Sequence, residues 1–201
     1  MKYLFLLILC ASTTVFAQSY SEKIAQHREK YKVDFLVEKG APLKEADLKY
    51  LNFFDADSNY QVVAKVKVLK NEQAFNMPTY DGTTKEFIRY AQIGFALNEQ
   101  KFKMVLYRSL ALMANPVYKD LLFLPFSDET NGTFTYGGGR YIDLNINDIK
   151  SKKITIDFNK AYNPYCAYSD GYRCPVPPQE NRLYTSILAG EKMYTGEKKH
   201  K

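Results

Sequence analysis

The sequence predicts a mainly β, α+β fold: an antiparallel sheet curled into a roll, open barrel or sandwich, with one N-terminal helix packed on it or plugging an end. Three observations carry this reading. Apolar and polar residues alternate over several stretches from Tyr60 onward, the turns between those stretches are too short for parallel crossovers, and helical spacing is confined to the beginning of the chain.

The first segment belongs to no fold. Lys2 supplies a positive start, Tyr3 to Ala11 form a short apolar run, and Val15 and Ala17 stand at the two small-residue positions that a signal peptidase reads, so cleavage after Ala17 is expected. A spanning helix needs about 20 apolar residues, and this run is about half as long. Cys10 lies inside the run behind bulky Leu9, where a lipid-attachment signal requires a small residue. Residues 1–17 therefore read as a cleaved signal peptide and residues 18–201 as a single β-rich domain with a basic C-terminal tail. The expected product is exported, periplasmic or extracellular, and without a membrane span in its mature form.

Ser19-Tyr20-Ser21-Glu22 next supplies a capping box, with Ser19 as the cap and Glu22 reaching back three places later. Tyr20, Ile24, Tyr31 and Phe35 fall near one face at helical spacing and His27 shares it, which predicts a helix over about Ser21 to Tyr31. Residues 40–60 read as a connector with a short helix near Leu43 to Leu51. Tyr60, Val62, Ala64, Val66 and Val68 then alternate with Gln61, Lys65 and Lys67, placing one strand face on a core and one in water. Ile93, Phe95 and Leu97 alternate before a turn over Asn98 to Lys101, and Phe102, Met104 and Leu106 alternate on the return, as in a hairpin. Leu121 to Phe126 is a buried run ended by Pro125 and a Ser-Asp-Glu-Thr-Asn-Gly turn. Ile142, Leu144 and Ile146, then Ile154, Ile156 and Phe158, complete about seven strands.

The charge balance is mild. The formal net charge of +6 falls to +5 once Lys2 leaves with the signal, and much of it sits in the tail at Lys192, Lys198, Lys199 and Lys201. Nucleic-acid binding calls for a concentrated basic stripe, whereas lysines such as Lys65 and Lys67 are spread along polar strand faces, so no nucleic-acid partner is expected. Cys166 and Cys174 survive processing in an oxidising compartment and read as a disulfide rather than free thiols. With His27 and His200 as the only histidines, neither a Cys/His zinc site nor any other metal or cofactor is expected.

After Phe158 the pattern breaks. Residues 159–182 are rich in Tyr, Pro and Asn without a regular period, and so long a loop in a compact domain is usually functional or disordered. Tyr162, Tyr165, Tyr168 and Tyr172, with the Cys166–Cys174 staple, favour order. Either the loop is a flap over a sheet edge or barrel end, or it carries a site. The second candidate is Thr135-Tyr136-Gly137-Gly138-Gly139-Arg140-Tyr141. Its glycines fit a bulge or tight turn, and Arg140 could clamp a carboxylate or phosphate, but the Walker lysine and dinucleotide spacing are missing. Asp128, Asp157 and Glu180 are the candidate acid and base groups, each also explicable as a turn former or loop anchor. A Ser-His-Asp or Cys-His machine lacks a suitable histidine.

Leu122-Phe123-Leu124-Pro125-Phe126-Ser127-Asp128, Thr135 to Leu144, Asp157-Phe158-Asn159-Lys160-Ala161-Tyr162-Asn163-Pro164-Tyr165-Cys166-Ala167-Tyr168, Cys174-Pro175 and Pro177-Pro178-Gln179-Glu180-Asn181-Arg182-Leu183 together resemble one family. It is the bacterial domain-of-unknown-function family numbered sixteen eighty-four, whose members are commonly exported. Where its members often carry two prolines after the motif asparagine, this chain has Pro164-Tyr165. The resemblance implies that the loop and the Gly-rich turn form one unit, and it carries no catalytic residue across.

Three functions follow as expectations. The leading one is a binding module for a small-molecule, glycan or peptide ligand at a site lined by Tyr136, Arg140, Asn159, Tyr162, Asn163, Tyr168 and Asn181, where rings stack and amides and guanidinium donate. The absence of Trp weighs against a glycan. The second is a secreted hydrolase using Asp128, Asp157 or Glu180. The third is a structural or partner-interaction domain in which the motif is a lid.

Overall fold

A computed structural model describes residues 19–200, so the predicted signal peptide lies outside the described residues. Helix α1 (Tyr20–Val37) opens on the expected capping box: the Ser19 hydroxyl accepts from Glu22 N at 3.2 Å, and Ser19 N donates to the Glu22 carboxylate at 2.8 Å. It runs beyond the predicted end because Phe35, one helical turn past Tyr31, still finds a buried place. The connector contains a short 3₁₀ helix, Glu45–Tyr50, over most of the stretch expected to be helical.

Seven strands follow: β1 (Gln61–Val68), β2 (Phe75–Pro78), β3 (Thr84–Leu97), β4 (Gln100–Ser109), β5 (Leu121–Phe126), β6 (Arg140–Asn145) and β7 (Lys153–Asp157). Every strand pairing is antiparallel, in the order β6-β5-β4-β3-β1-β7 with β2 added beside β3, and the sheet curls into a half-barrel. Its concave face holds the core, where Val62, Ala64, Ile93, Phe95, Leu106, Leu124, Ile142 and Ile156 meet at alternate positions of their strands, joined by Phe158 just past the end of β7. Ile146, read from the sequence as the end of a strand, starts a 3₁₀ turn capped by the Asn145 side chain.

The β3–β4 hairpin turns on Asn98 and Glu99, both at positive φ, the pair of conformations that a two-residue type I′ turn requires. A bulge between Arg89 and Ala91 reverses which residues of β3 face outward. Beyond it, Phe87 turns to the outer face and packs with Met77, Val105 and Tyr107 as a second, smaller apolar cluster.

Pro125 lies within β5 rather than ending it, opposite Tyr141 of β6. It has no N–H to donate toward β4, and β4 and β5 share one ladder position, Tyr107 with Phe123. The gap is closed from elsewhere in the chain. Asn181 takes a bond from Val105 N at 2.7 Å and gives bonds to Val105 O at 2.9 Å and Pro125 O at 2.7 Å, so its amide does the work of a missing strand residue.

Candidate functional site

Beyond β7 the described chain is a strap without strands, with single 3₁₀ turns at Phe158–Lys160, Tyr165–Ala167 and Gln179–Asn181, stapled by the Cys166–Cys174 disulfide. The Gly-rich turn and this strap do form one unit. Gly139 sits at φ +82°, where a Cβ would come within 2.6 Å of Phe126 O and 2.8 Å of Pro177 Cγ, so only glycine fits. Tyr141 and Tyr162 pair as a bridge, and the Tyr141 hydroxyl donates to Pro175 O.

Arg140 points inward. It and Asp128 form an ion pair at 2.9 Å with both side chains 0% exposed. The guanidinium also donates to the carbonyls of Ile187 (2.9 Å), Ala189 and Glu191 (3.3 Å) and lies over the Phe126 ring at 5.3 Å, while its Nε has no partner among the described residues. Burial pulls its pKa down and the Asp128 carboxylate opposes this. The second Asp128 oxygen accepts from Thr130 N at 2.9 Å, the Thr130 hydroxyl and Ile187 N at 3.2 Å. The pair thus pins residues 187–191 to the β5–β6 corner.

The carbonyl of Glu191 belongs to that arrangement and its side chain begins another. The Glu191 carboxyl is fully buried and accepts from the hydroxyls of Tyr31 (2.9 Å) and Tyr168 (2.6 Å) and from Asn163 N (2.9 Å). Burial raises its pKa to about 7 against the opposing pull of those hydrogen bonds. Tyr31 and Tyr168 also bond each other at 2.9 Å, and the Tyr168 ring meets Phe35 and Tyr194 edge-on at 5.5 and 5.2 Å. Asn163 gives its amide to Lys192 O at 2.8 Å, and its Oδ1 has no partner among the described residues.

Asp157 and Asn159 make a third network. Tyr20 (2.9 Å), Gln61 (3.1 Å) and the backbone and side chain of Asn159 donate to Asp157, and Asn159 exchanges bonds with the backbone of Asp57. This fastens the start of α1 to the end of β7. Glu180 stands apart in a fourth group, accepting from Arg89 at 2.9 Å and from the Tyr107 hydroxyl at 2.5 Å. Tyr162 donates to Asp143 at 2.9 Å. Tyr136 is half-buried, edge-on to Tyr80 at 6.3 Å.

The residues singled out from sequence therefore divide. Asp128 and Arg140 are in contact, Asn163 and Tyr168 meet on Glu191, Asp157 and Asn159 are in contact, and Asn181 holds the β4–β5 gap beside Glu180. Among the described residues Asp128, Asp157 and Glu180 share no hydrogen-bond partner. Glu191, Tyr31 and Tyr20 were missed as members of these networks. Tyr31 and Tyr20 read only as helix-face residues, and the one local sign at Glu191 is the preceding Gly190, held at φ +79° where a Cβ would lie 2.6 Å from Phe158 O. A recess between α1 and the strap, lined by His27, Arg28, Tyr31, Asn159 and Tyr162, encloses about 10 Å³, room for a single water.

Among the described residues no helix is long and apolar enough to cross a membrane, and no cluster of three or more His, Cys, Asp or Glu is placed to hold a metal ion. No curated protein matches the chain. An uncharacterized protein of Haloarcula marismortui, solved by solution NMR, is similar in structure with a TM-score of 0.66 and 32% identity, over 85% of this chain and 92% of that one. The family model described as "Protein of unknown function (DUF1684)" matches residues 46–192, which span β1 to β7 and the strap through Glu191, and the chain belongs to that family.

Proposed function

We propose that this protein is an exported, non-catalytic interaction domain in which the long motif is a clasp and the contact with a partner is made by the outer surface. The observation that carries this reading is the use to which the motif's polar side chains are put. Asp128, Arg140, Asn159, Asn163 and Asn181 are buried, and each spends hydrogen bonds on joining segments far apart in sequence. A ligand site keeps such groups convergent and reachable; here, apart from Arg140 Nε and Asn163 Oδ1, the donors and acceptors of these side chains are turned to backbone and to one another. The separate networks of Asp128, Asp157 and Glu180 argue in the same direction against a reacting pair of carboxylates. The disulfide and the N-terminal segment support the exported part of the proposal.

The test is a split between stability and retention of ligand. Arg140→Met, Asp157→Asn and Asn181→Ala are each expected to lower the melting temperature, with no loss of binding on glycan or peptide arrays and no change in hydrolysis of chromogenic substrates beyond that caused by unfolding. A motif variant that melts like the wild type yet loses a ligand or a turnover would overturn the reading.

A further inference from the structure

The outer face of the half-barrel is divided. Where β4 and β5 turn Val105, Tyr107 and Phe123 outward, the face is covered by β2 and by the strap at Glu180 and Asn181. At one end of the remaining face Asp157 of β7 is buried beneath Tyr20 and Gln61; over the rest of β7, β1, β3 and the first half of β4 the outward residues are instead Lys153, Thr155, Val63, Lys65, Lys67, Gln92, Gly94, Ala96, Lys101 and Lys103. Apart from the half-buried Gly94, all are exposed. Strand register arranges the lysines. Lys153 lies opposite Lys65, Lys65 opposite Gly94, and Gly94 opposite Lys103, so one row crosses four strands. Lys67 and Lys101 extend it by two residues in opposite directions.

The five ammonium groups therefore occupy a patch about 14 Å across the strands and about 14 Å along them. Among the described residues none of the five has a carboxylate within ion-pair distance. Lysines directly opposite on neighbouring strands repel, so this arrangement does nothing for the sheet itself. Gly94 leaves a shallow groove of about 200 Å³ between Lys65, Lys67 and Lys103.

We infer that this face docks the protein on a membrane leaflet carrying anionic phospholipid headgroups. The inference rests on the interaction-domain reading above and names the partner of its outer surface. The chemistry of the patch selects a field of charge over a discrete ligand. All its cations are lysines on flexible stems, and no arginine offers the planar pair of donors that orients a single phosphate. No aromatic ring lies among the outward residues for nucleic-acid bases to stack on, and the charges spread in two dimensions rather than along one line, as a linear polymer would ask. Val63, 61% exposed beside Lys65, adds a small apolar contact at headgroup depth.

The test is cosedimentation of the purified protein with vesicles of phosphatidylcholine alone and of phosphatidylcholine mixed with phosphatidylglycerol, at low and high salt. Binding to the mixed vesicles is expected, weakened by salt and absent with phosphatidylcholine alone. Each lysine near an anionic surface is worth about fivefold in affinity, so Lys65→Gln with Lys103→Gln and Lys153→Gln should weaken binding on the order of a hundredfold. A control with the same loss of charge, Lys23→Gln with Lys39→Gln and Lys49→Gln, should leave it near wild type. No binding to the mixed vesicles, equal losses in the two triple variants, or tighter binding to duplex DNA that excludes the vesicles would each overturn the proposal. The substituted lysines are solvent-facing, so the melting temperature of the face variant should not fall. The clasp reading is judged by the motif variants, so it survives a failure here.

Discussion

Arg140→Met removes a charge from a site with no access to water and keeps most of the side-chain volume. Breaking a buried ion pair from one side costs about 3–5 kcal/mol, because the remaining charge stays buried and unpaired. The structure places this case near the lower bound. Asp128 would keep Thr130 N, the Thr130 hydroxyl and Ile187 N as donors, while the carbonyls of Ile187, Ala189 and Glu191 would each lose the guanidinium. A loss of about 3 kcal/mol is expected, which for a chain of this size lowers the melting temperature by about 6–12 °C. Asp128→Asn removes the other charge and leaves an acceptor for Thr130. Combined with Arg140→Met it should therefore cost less than the sum of the two single changes, with a coupling of about 1–2 kcal/mol. Urea unfolding followed by far-UV circular dichroism measures all four proteins, with an unchanged slope confirming that the unfolded states are comparable. The reasoning is refuted if Arg140→Met costs less than about 1 kcal/mol, the value of a surface pair, or if the two changes simply add.

Three further outcomes are expected. Glu191 holds its proton in the fold up to about pH 7 but gives it up near its ordinary value of 4.5 when unfolded. The native state then binds more protons over that interval, so stability should fall by about 3 kcal/mol as pH rises through it, the loss being complete above pH 7. Unfolding free energies across this range should show a slope that Glu191→Gln abolishes, and an identical slope in both proteins would remove Glu191 as its source. Replacing Cys166 and Cys174 together by Ala should cost about 2.5 kcal/mol from loop-closure entropy; equal melting with and without reductant would show that the loop does not need its staple. Finally, protein recovered from the medium or periplasm is expected to begin at Gln18, and an intact mass that includes residues 1–17 would refute cleavage after Ala17.

Period-two alternation made β1, β6, β7 and the β3–β4 hairpin legible, because a sheet with one wet face writes its geometry directly into neighbouring residues. Ser19 and Glu22 marked the start of α1 for a similar reason, since a capping box closes within four residues. Pro125 misled as a strand end. A proline is tolerated where no ladder N–H is needed, and that condition depends on Asn181, 56 residues away. In the strap, burial follows contacts with α1, β4 and β6 and no period, so Glu191 was marked only by the preceding Gly190, while Tyr162 and Cys166 stood out by residue type alone.

Lys65 and Lys67 show the division most clearly. Their sequence spacing already placed them on the solvent side of a strand. That they stand in one patch with Lys101, Lys103 and Lys153 depends on strand order and register. Arg140 is the converse case, a charged residue after a glycine turn that local pattern would leave open to a ligand, drawn inward because Asp128 and three carbonyls wait there. The sequence by itself determined the fold class, the family and the alternation of each strand, all of which are local or read from residue type. Tertiary structure alone decided which polar groups are spent inside and which charges are gathered outside, because both depend on pairings between segments distant along the chain.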